Sequence, residues 1–497
     1  MVESTIPELE IYTNKQNYLS VADNSPPGSR IPVEVRTIVS DPFEAYCNAR
    51  IDSESFYLET TGPVSGWGYF GIKPIEFLEI LPSNENPQYN SLKRISDFIS
   101  KENLIRNGCD SPYPCGVVGW LSYELSQEIE NIPPISDNSF SYPILQLGLY
   151  DCMVSWVEPR GENTTLRITS CPKLGNSEKT FALALENALD MAKSFQKSPV
   201  TYTHTVPDSP TSNFQSDCGR ETFCKRVQKI KDYIYNGDTF QVNIAHKLIM
   251  KSDLHPVNLF RALRSINPAP YSALLEFPSI DLIGASPELL FYSNNDTIVA
   301  EPIAGTRPRG LTNSQDLIFE HELLDNKKER AEHAMLVDLC RNDLGKVSDY
   351  GTVNVEEYRR VDRYSSVMHL VSSVKGDKKP NASISDVIKA IFPGGTITGA
   401  PKPKTMEIIS EIEDSHRGPY TGSVGIFGFD NQATLNIIIR TFIHQNGIYQ
   451  LPVGAGIVHD SVPEKEYEET LSKAKALINS MDSALSHSQN ISQNLSQ

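Results

Sequence analysis

Apolar residues recur at helical spacing in one stretch of the chain and alternate in the next. Within residues 221–238 the apolar positions lie three or four apart, at Phe223, Val227, Ile230 and Ile234. This spacing predicts an amphipathic helix that ends at Gly237. Residues 241–250, QVNIAHKLIM, then alternate as a half-buried strand does. Helical and strand patterns interleave without a regular strand-helix-strand alternation, which predicts an α+β fold.

A change of composition divides the chain into parts. Residues 196–216 are rich in Pro, Ser and Thr and lack hydrophobic periodicity, which is typical of a linker. We therefore expect an N-terminal domain over residues 1–195 and a catalytic domain over residues 217–480. Residues 481–497 are rich in Ser, Asn and Gln, and we expect them to form a disordered tail.

Composition limits the class of protein. The chain has 497 residues, 39% of them hydrophobic, which is enough for a large core. Its 45 basic and 62 acidic residues give a formal charge of −17, which argues against nucleic acid or an anionic membrane as a partner. No signal peptide pattern and no apolar run long enough to span a bilayer are present. The eight Cys follow no zinc pattern, so we expect free thiols and a cytoplasmic location.

A glycine turn followed by an acidic helix predicts one half of a binding site. Residues 301–310, EPIAGTRPRG, place Gly305 and Thr306 between two prolines, and a charged helical pattern follows over residues 327–345. Glu329 and Glu332 lie three apart in that pattern, so both carboxylates project from one helix face. A glycine turn lets the backbone approach an anion, and carboxylates suit a hard cation such as Mg²⁺.

The same arrangement recurs near the C-terminus. Residues 453–470, VGAGIVHDSVPEKEYEET, contain a glycine turn and then a helix start with Glu466 and Glu469, again three apart. A single pair of this kind is usually a solvated helix face, because Glu is seldom buried without a partner. Two such units, each beside a glycine turn, instead predict that both contribute to one Mg²⁺ site.

Ten ordered segments between about Asp217 and Ile478 closely resemble the chorismate-binding enzymes. They include GDTFQVN, GASPELL, EPIAGTRPRG, FPGGTITGAPKPKTMEII, RGPYTGSVGIFGF and LNIIIRT. This family contains the synthase subunits of anthranilate synthase and aminodeoxychorismate synthase, with isochorismate and salicylate synthases as relatives. Residues 55–74 and 115–133 look like the family's N-terminal domain. The resemblance implies a sandwich of antiparallel β-sheets surrounded by helices, as in component I of anthranilate synthase.

The resemblance implies a role for each candidate residue. Glu332 and Glu469 are expected to bind Mg²⁺ directly, and Glu329 and Glu466 to act beside them. His369 and Thr396 are expected to act near the C4 hydroxyl of chorismate, whose departure needs a proton or a metal. The groups expected to bind chorismate are Gly305, Thr306, Tyr420, Arg440, Gly454, Ala455 and Gly456.

Some of these residues have an ordinary interpretation if the resemblance is ignored. His369 would be a satisfied core histidine, Thr396 a hydroxyl that stabilises a turn, and Arg440 a surface cation. A catalytically silent homologue that acts as a regulatory subunit is a further alternative. Such a protein would have no need to retain all of the acidic and basic site residues, so we expect an active enzyme.

Gln241 in TFQVN bears on the nucleophile. By the same resemblance, the relatives that use water carry Lys at this position, and Gln cannot act as the base that activates water. Ammonia is nucleophilic without activation and is therefore expected. The chain shows no nucleophilic Cys on a G-x-C-x-G elbow. We expect a separate glutamine amidotransferase subunit to supply the ammonia.

Ala304 bears on the product. Many aminodeoxychorismate synthases carry Lys here, which is thought to add at C2 so that ammonia enters at C4, whereas anthranilate synthases carry Ala and ammonia attacks C2. FPGGTITGAPK, RGPYTGSVGIFGF and LNIIIRT look more like the first group, and the tryptophan-feedback motif appears only as YLET and PYS. We therefore predict aminodeoxychorismate synthase component I, of the folate and 4-aminobenzoate branch. The alternative is anthranilate synthase component I, of tryptophan biosynthesis.

Overall fold

The computed structural model describes most of the chain. The described residues are 9–495 except 62–65, 83–89, 134, 136–141, 160, 162, 197–211 and 365–366, with side chains described up to residue 486. Most of the predicted linker therefore lies outside the described residues. The eight cysteines are free thiols, as expected. No helix within the described ranges is long and apolar enough to cross a membrane.

Several helices in the described part of the chain begin at a capping side chain. For example, the Asn326 side chain accepts hydrogen bonds from the amides of Lys328 and Glu329 and starts the helix that carries the first Glu pair. The helices are α1 (Lys15–Asp23), α2 (Pro42–Ala49), α3 (Ser91–Ser100), α4 (Ser126–Ile129), α5 (Ser177–Ser194), α6 (Gly219–Tyr235), α7 (Pro256–Ile266), α8 (Asn313–Asp325), α9 (Lys327–Gly345), α10 (Ile384–Ile391), α11 (Lys402–Ile412) and α12 (Pro463–Leu495).

The strands of the described residues are short, and every pair of them is antiparallel. They are β1 (Glu10–Ile11), β2 (Val33–Val39), β3 (Ser55–Glu59), β4 (Gly66–Ile72), β5 (Glu76–Ile80), β6 (Gly116–Leu121), β7 (Leu145–Tyr150), β8 (Cys152–Glu158), β9 (Thr164–Ser170), β10 (Gln215–Ser216), β11 (Gln241–Lys251), β12 (Tyr271–Glu276), β13 (Asp281–Ser286), β14 (Leu289–Ser293), β15 (Thr297–Ala300), β16 (Ile303–Pro308), β17 (Asn354–Arg363), β18 (Val367–Asp377), β19 (Gly399–Ala400), β20 (Ser423–Gly428), β21 (Ala433–Ile437), β22 (Thr441–Gln445) and β23 (Ile448–Ile457).

These strands form two sheets, and each sheet takes strands from both halves of the chain. The first sheet has the order β1-β2-β9-β8-β4-β3-β12-β13-β22-β23-β11-β10, with β19 paired to β11. The second has the order β16-β18-β15-β14-β21-β20-β6-β7-β5, with β17 paired to β18. The halves join where β3 pairs with β12 and where β6 pairs with β20. The predicted α+β fold with antiparallel sheets is confirmed.

Apolar clusters fill the space between the sheets and the space under the helices. One cluster joins Ala245 and Leu275 of the first sheet to Trp120 and Val424 of the second, so the sheets pack face to face. A second cluster packs α5, α7 and α12 against the first sheet, and a third packs α3, α9 and α10 against the second. The structure is thus a sandwich with helices on its outer faces, as the resemblance implies.

The last helix differs from the expected disordered tail. α12 continues through residue 481 as far as Leu495. Its Met481, Ala484 and Leu485 are buried in the cluster that α12 shares with α7 and the first sheet. These apolar positions continue the buried helix face despite the polar composition around them, which explains why composition alone predicted disorder.

A buried ion pair completes the edge of β11. Strand β19 pairs only with residues 241–242 of β11, and β10 only with residues 248–249, which leaves a gap on this edge. In the gap, Glu413 Oε1 accepts a hydrogen bond from the amide of Ala245 at 2.9 Å, and Arg417 Nη2 donates to the carbonyl of Asn243 at 2.8 Å. The two side chains pair at 2.7 Å and are only 5% and 1% exposed. They satisfy backbone groups that a strand would otherwise bind.

Arg417 also reaches beyond β11. Its Nη1 donates to the carbonyl of Ile397 at 3.0 Å, and its amide donates to Glu124 Oε1 at 2.9 Å. Its guanidinium lies over the ring of Tyr123, 4.8 Å from the centroid. Burial alone would lower the pKa of Arg417, but Glu413 raises it above its ordinary value. The pair therefore connects the first sheet to the segment that leads into β20 of the second.

Replacing Arg417 by Met is expected to destabilise the fold strongly. Loss of one partner leaves the other buried without compensation, which costs about 3–5 kcal/mol. Urea unfolding followed by circular dichroism measures the change. Lys225→Met is the matched control, because Glu221 and Lys225 form a pair at the same spacing with both side chains exposed. The control is expected to leave the unfolding midpoint unchanged, and equal effects of the two substitutions would contradict the role of the buried pair.

Candidate active site

The predicted turn at Gly305 and Thr306 is instead a β-bulge within strand β16. These two residues contact two other predicted residues. Gly305 has a φ of +79°, and a Cβ at this position would lie 2.7 Å from Glu329 Oε2. Glycine therefore allows the carboxylate of α9 to pack against the bulge. Thr306 lies opposite His369 in the β16-β18 pair, and its Oγ1 is 2.9 Å from His369 Nδ1. The bulge thus joins α9 to β18.

His369 is a buried neutral base. Burial lowers its pKa to about 3, and Arg440 contributes in the same direction. The imidazole is therefore uncharged at neutral pH. Its Nε2 is buried and has no hydrogen-bond partner among the described residues. This nitrogen can exchange a hydrogen bond with a ligand.

A carboxylate that the sequence analysis did not single out lies beside Thr396 and Arg440. Burial raises the pKa of Glu288 to about 7, and nearby Thr396 and Arg440 lower it only in part. Arg440 has a φ of +50°, and burial lowers the pKa of its guanidinium. Glu288 belongs to the GASPELL segment, where an acidic residue stands next to apolar positions. An acidic residue among apolar positions was the signal in the sequence that could have identified Glu288.

The four predicted carboxylates come together from α9 and α12. Burial raises the pKa of Glu332, and Glu329 and Glu469 raise it further. Burial also raises the pKa of Glu466, to which Glu469 adds. A carboxylate raises the pKa of another in this way only when the two lie near each other. The two acidic helix starts therefore lie near each other, and their joint binding of Mg²⁺ stays a prediction.

Donor groups hold three of these carboxylates in place. Glu332 Oε1 accepts a hydrogen bond from Gln241 Nε2 at 2.7 Å. Glu329 pairs with Arg307 at 3.1 Å. Glu469 pairs with Lys473 at 2.9 Å, and the same ammonium donates to the carbonyl of Gly454 at 3.0 Å. Lys473 is a contact that the sequence pattern did not reveal.

The carboxylates offer the donor type that the predicted Mg²⁺ would take, and Mg²⁺ binding here stays a prediction. They provide hard oxygen ligands, and their mutual repulsion favours a cation between them. Their oxygens do not converge tightly, since in the described residues the groups of three or more potential ligands within 4.8 Å lie elsewhere, at Asp217, Cys218 and His246 and at Asp52, His255 and Glu276. Loosely placed carboxylates suit Mg²⁺, which keeps several waters and takes ligands from its substrate.

The predicted glycines of β23 make room for side chains from β11 and the loop before β20. A Cβ at Gly454 would lie 2.8 Å from Tyr420 Oη and 2.9 Å from Asn243 Oδ1. A Cβ at Gly456 would lie 2.7 Å from Gln241 Nε2. Larger residues at either position would displace these polar groups.

Ala455 faces away from these glycines. Its side chain is buried in the apolar cluster of β11, α6 and α11, and its backbone pairs with Ile244 of β11. The prediction that the Ala455 amide binds the substrate is therefore not supported, whereas Gly454 and Gly456 direct their amides away from β11. Strand β22 pairs with β23 only at residues 448–450. On the side away from β11, the rest of β23 therefore has no strand partner within the described ranges. This open edge is consistent with the predicted use of the Gly454 and Gly456 amides for binding.

Comparison with known proteins gives one family. Residues 55–479 match the family described as chorismate binding enzyme. The chain is 52% identical over 478 residues to a Haloarcula marismortui protein named anthranilate synthase component 1, covering 96% of this chain and 97% of that protein. It is 41% identical over 362 residues to aminodeoxychorismate synthase component 1 of Bacillus subtilis, covering 73% and 76%.

A solved structure agrees with these relatives. The crystal structure of anthranilate synthase component I from Streptococcus pneumoniae matches with a TM-score of 0.72 at 28% identity, covering 84% of this chain and 92% of that chain. The family match spans most of the chain, and the Haloarcula relative matches it over nearly its full length. The chain therefore belongs to the chorismate-binding enzyme family.

Proposed function

We propose that this chain is component I of anthranilate synthase and aminates chorismate at C2. The sequence analysis predicted aminodeoxychorismate synthase first and anthranilate synthase as the alternative, and this proposal reverses that order. The observation that carries the proposal is the identity of residue 304 as alanine, supported by the name of the relative that is 52% identical over 96% of the chain. The aminodeoxychorismate interpretation rests on a relative of lower identity, 41% over 73% of the chain.

Ala304 lies in β16 directly before the bulge at Gly305 and Thr306. It is 6% exposed and lies opposite Leu370 of β18. Its methyl group cannot add covalently to the substrate, so no amine at this position competes with ammonia for C2. Direct attack of ammonia at C2 is the simplest reaction compatible with this side chain.

Chorismate is an anion with two carboxylates, and the site offers groups of matching chemistry. The guanidinium of Arg440 and the backbone at Gly305 and Thr306 are suited to binding carboxylates. Neutral His369, held by Thr306 at 2.9 Å, has Nε2 available to the C4 hydroxyl. Glu288, with a pKa of about 7, can hold a proton near Thr396 at neutral pH. Mg²⁺ bound between the glutamates would neutralise substrate carboxylate charge and assist departure of the hydroxyl.

Ammonia in this proposal comes from a separate glutamine amidotransferase subunit. Gln241 occupies the position beside Glu332, where its Nε2 donates a hydrogen bond and its Oε1 has no partner in the described residues. An amide cannot take a proton from water at neutral pH, so the site is suited to a nucleophile that needs no activation.

The product is the first test. Chorismate, ammonium and Mg²⁺ with the purified chain are expected to give fluorescent anthranilate and pyruvate without any added lyase. The physical reason is that, after amination at C2, the C2 hydrogen leaves as a proton and the enolpyruvyl group on C3 leaves as pyruvate, which makes the ring aromatic. Formation of 4-aminobenzoate that depends strictly on an added lyase would replace this proposal with the aminodeoxychorismate branch.

The metal site is tested by Glu332→Gln and Glu469→Gln. Each substitution keeps the shape but removes a carboxylate charge, so activity is expected to fall by about a hundredfold while the fold survives. Isothermal titration with Mg²⁺ provides a readout independent of turnover. Glu468→Gln is the control, because Glu468 is the neighbour of Glu469 on α12 and is exposed beside Arg220. Near wild-type Mg²⁺ affinity in both site variants would contradict the assignment.

The source of nitrogen is tested by comparing ammonium with glutamine. The isolated chain is expected to use ammonium and to be inert towards glutamine until an amidotransferase is added. The ammonium-dependent rate is expected to rise with pH above neutrality, because free NH₃ increases while His369, with a pKa of about 3, stays neutral. Glutamine-dependent turnover by the pure chain would contradict the two-subunit interpretation.

A further inference from the structure

Asn243 is an amide side chain whose carbonyl oxygen has no partner. Its Oδ1 is buried and makes no hydrogen bond with any described residue. The same atom lies 2.9 Å from the position that a Cβ on Gly454 would occupy, and Tyr420 Oη lies 2.8 Å from that position. Asn243 therefore points across β23 towards the groups that we assign to the substrate.

The backbone of Asn243 is fully engaged. Its amide donates to the carbonyl of Thr398 at 2.7 Å, and its carbonyl accepts from Arg417 Nη2 at 2.8 Å. These bonds hold the residue in place on β11. A buried carbonyl oxygen without a donor is unfavourable, so Oδ1, which has no partner among the described residues, favours a ligand that supplies one.

Gln241 presents a second free carbonyl oxygen on the same strand face. It lies two residues before Asn243, which is the spacing that places side chains on one side of a strand. Its Nε2 is bound to Glu332, whereas its Oε1 is buried without a partner among the described residues. Two buried acceptor oxygens thus lie on one face of β11, and one of them belongs to the side chain that binds Glu332.

Two acceptor oxygens select a ligand rich in donors. The carboxylates of chorismate are acceptors only, so amide carbonyl oxygens repel them. Chorismate offers a single hydroxyl donor. Ammonia has three N–H bonds and a lone pair, so it can donate to two carbonyl oxygens and still direct its lone pair at carbon.

We propose that Asn243 Oδ1, together with Gln241 Oε1, holds the ammonia that attacks chorismate. The inference rests on the proposed amination. In the step, the nitrogen lone pair forms the C–N bond at C2 and the ring double bonds shift. The C4–O bond breaks, and one N–H proton leaves with the hydroxyl as water. Asn243 is thereby a nucleophile-binding residue in addition to those assigned above.

The test separates the Michaelis constant for ammonium from that for chorismate. Asn243→Leu has a similar size but no acceptor, so we expect it to raise the KM for ammonium about tenfold, the effect of losing one buried hydrogen bond. We expect its KM for chorismate to stay within about twofold, since no interaction with chorismate is lost. Asn243→Asp keeps acceptor oxygens and is expected to restore the KM for ammonium.

Lys247→Met is the control on the same strand face, where Lys247 Nζ donates to the carbonyl of His416. It is expected to leave both constants unchanged. A rise in the KM for chorismate alone in Asn243→Leu would overturn the proposal in favour of a substrate contact. Failure of Asn243→Asp to restore ammonium use in a folded protein, checked by circular dichroism, would also overturn it. A wild-type chain without ammonium-dependent turnover of chorismate would instead remove the proposed function itself.

Discussion

The buried pair of Glu413 and Arg417 is the constraint on which the site depends. Two charges removed from water are expensive unless every remaining donor and acceptor is bound, and here each side chain binds backbone groups as well as its partner. The backbone that they bind is the stretch of β11 that carries Asn243. The segment that follows Arg417 carries Tyr420 to the same place. One ion pair therefore sets the relative position of groups from both sheets.

Around that fixed stretch, the site is built from small residues that admit large polar ones. Gly305 admits the carboxylate of Glu329, and Gly454 admits the hydroxyl of Tyr420 and the amide of Asn243. The acidic residues approach from helices rather than from strands, each steadied by a donor such as Gln241 or Lys473. The consequence is that charged groups of both signs lie on neighbouring elements, as the proposed binding of an anionic substrate together with a cation requires.

Local sequence patterns predicted the helices and strands better than they predicted which distant segments those elements contact. The spacing from Phe223 to Ile234 predicted α6, and the alternation after Gly237 predicted β11, because each depends on a repeat within a few residues. The spacing and duplication of the glutamates predicted that the two pairs lie near each other, because both patterns are visible in the sequence; their use as one metal site stays a prediction. The edge gap of β11, the role of Glu288 and the free oxygen of Asn243 depend on contacts between distant segments, which no local pattern contains. The branch of chemistry was hard to predict for a related reason, since Ala304 is a single side chain and longer segments around it resemble the other branch.

The sharing of both sheets between the two halves has a consequence for how the polypeptide can be divided. A fragment that begins after the linker would lack β3 and β6, and would expose the edges of β12 and β20 in the middle of the sheets. Such edges are templates for pairing with other chains, so the isolated half would associate or aggregate rather than fold alone. Pairing across more than two hundred residues also makes assembly of the sheets a late, non-local event. The unit of folding is therefore the entire sandwich.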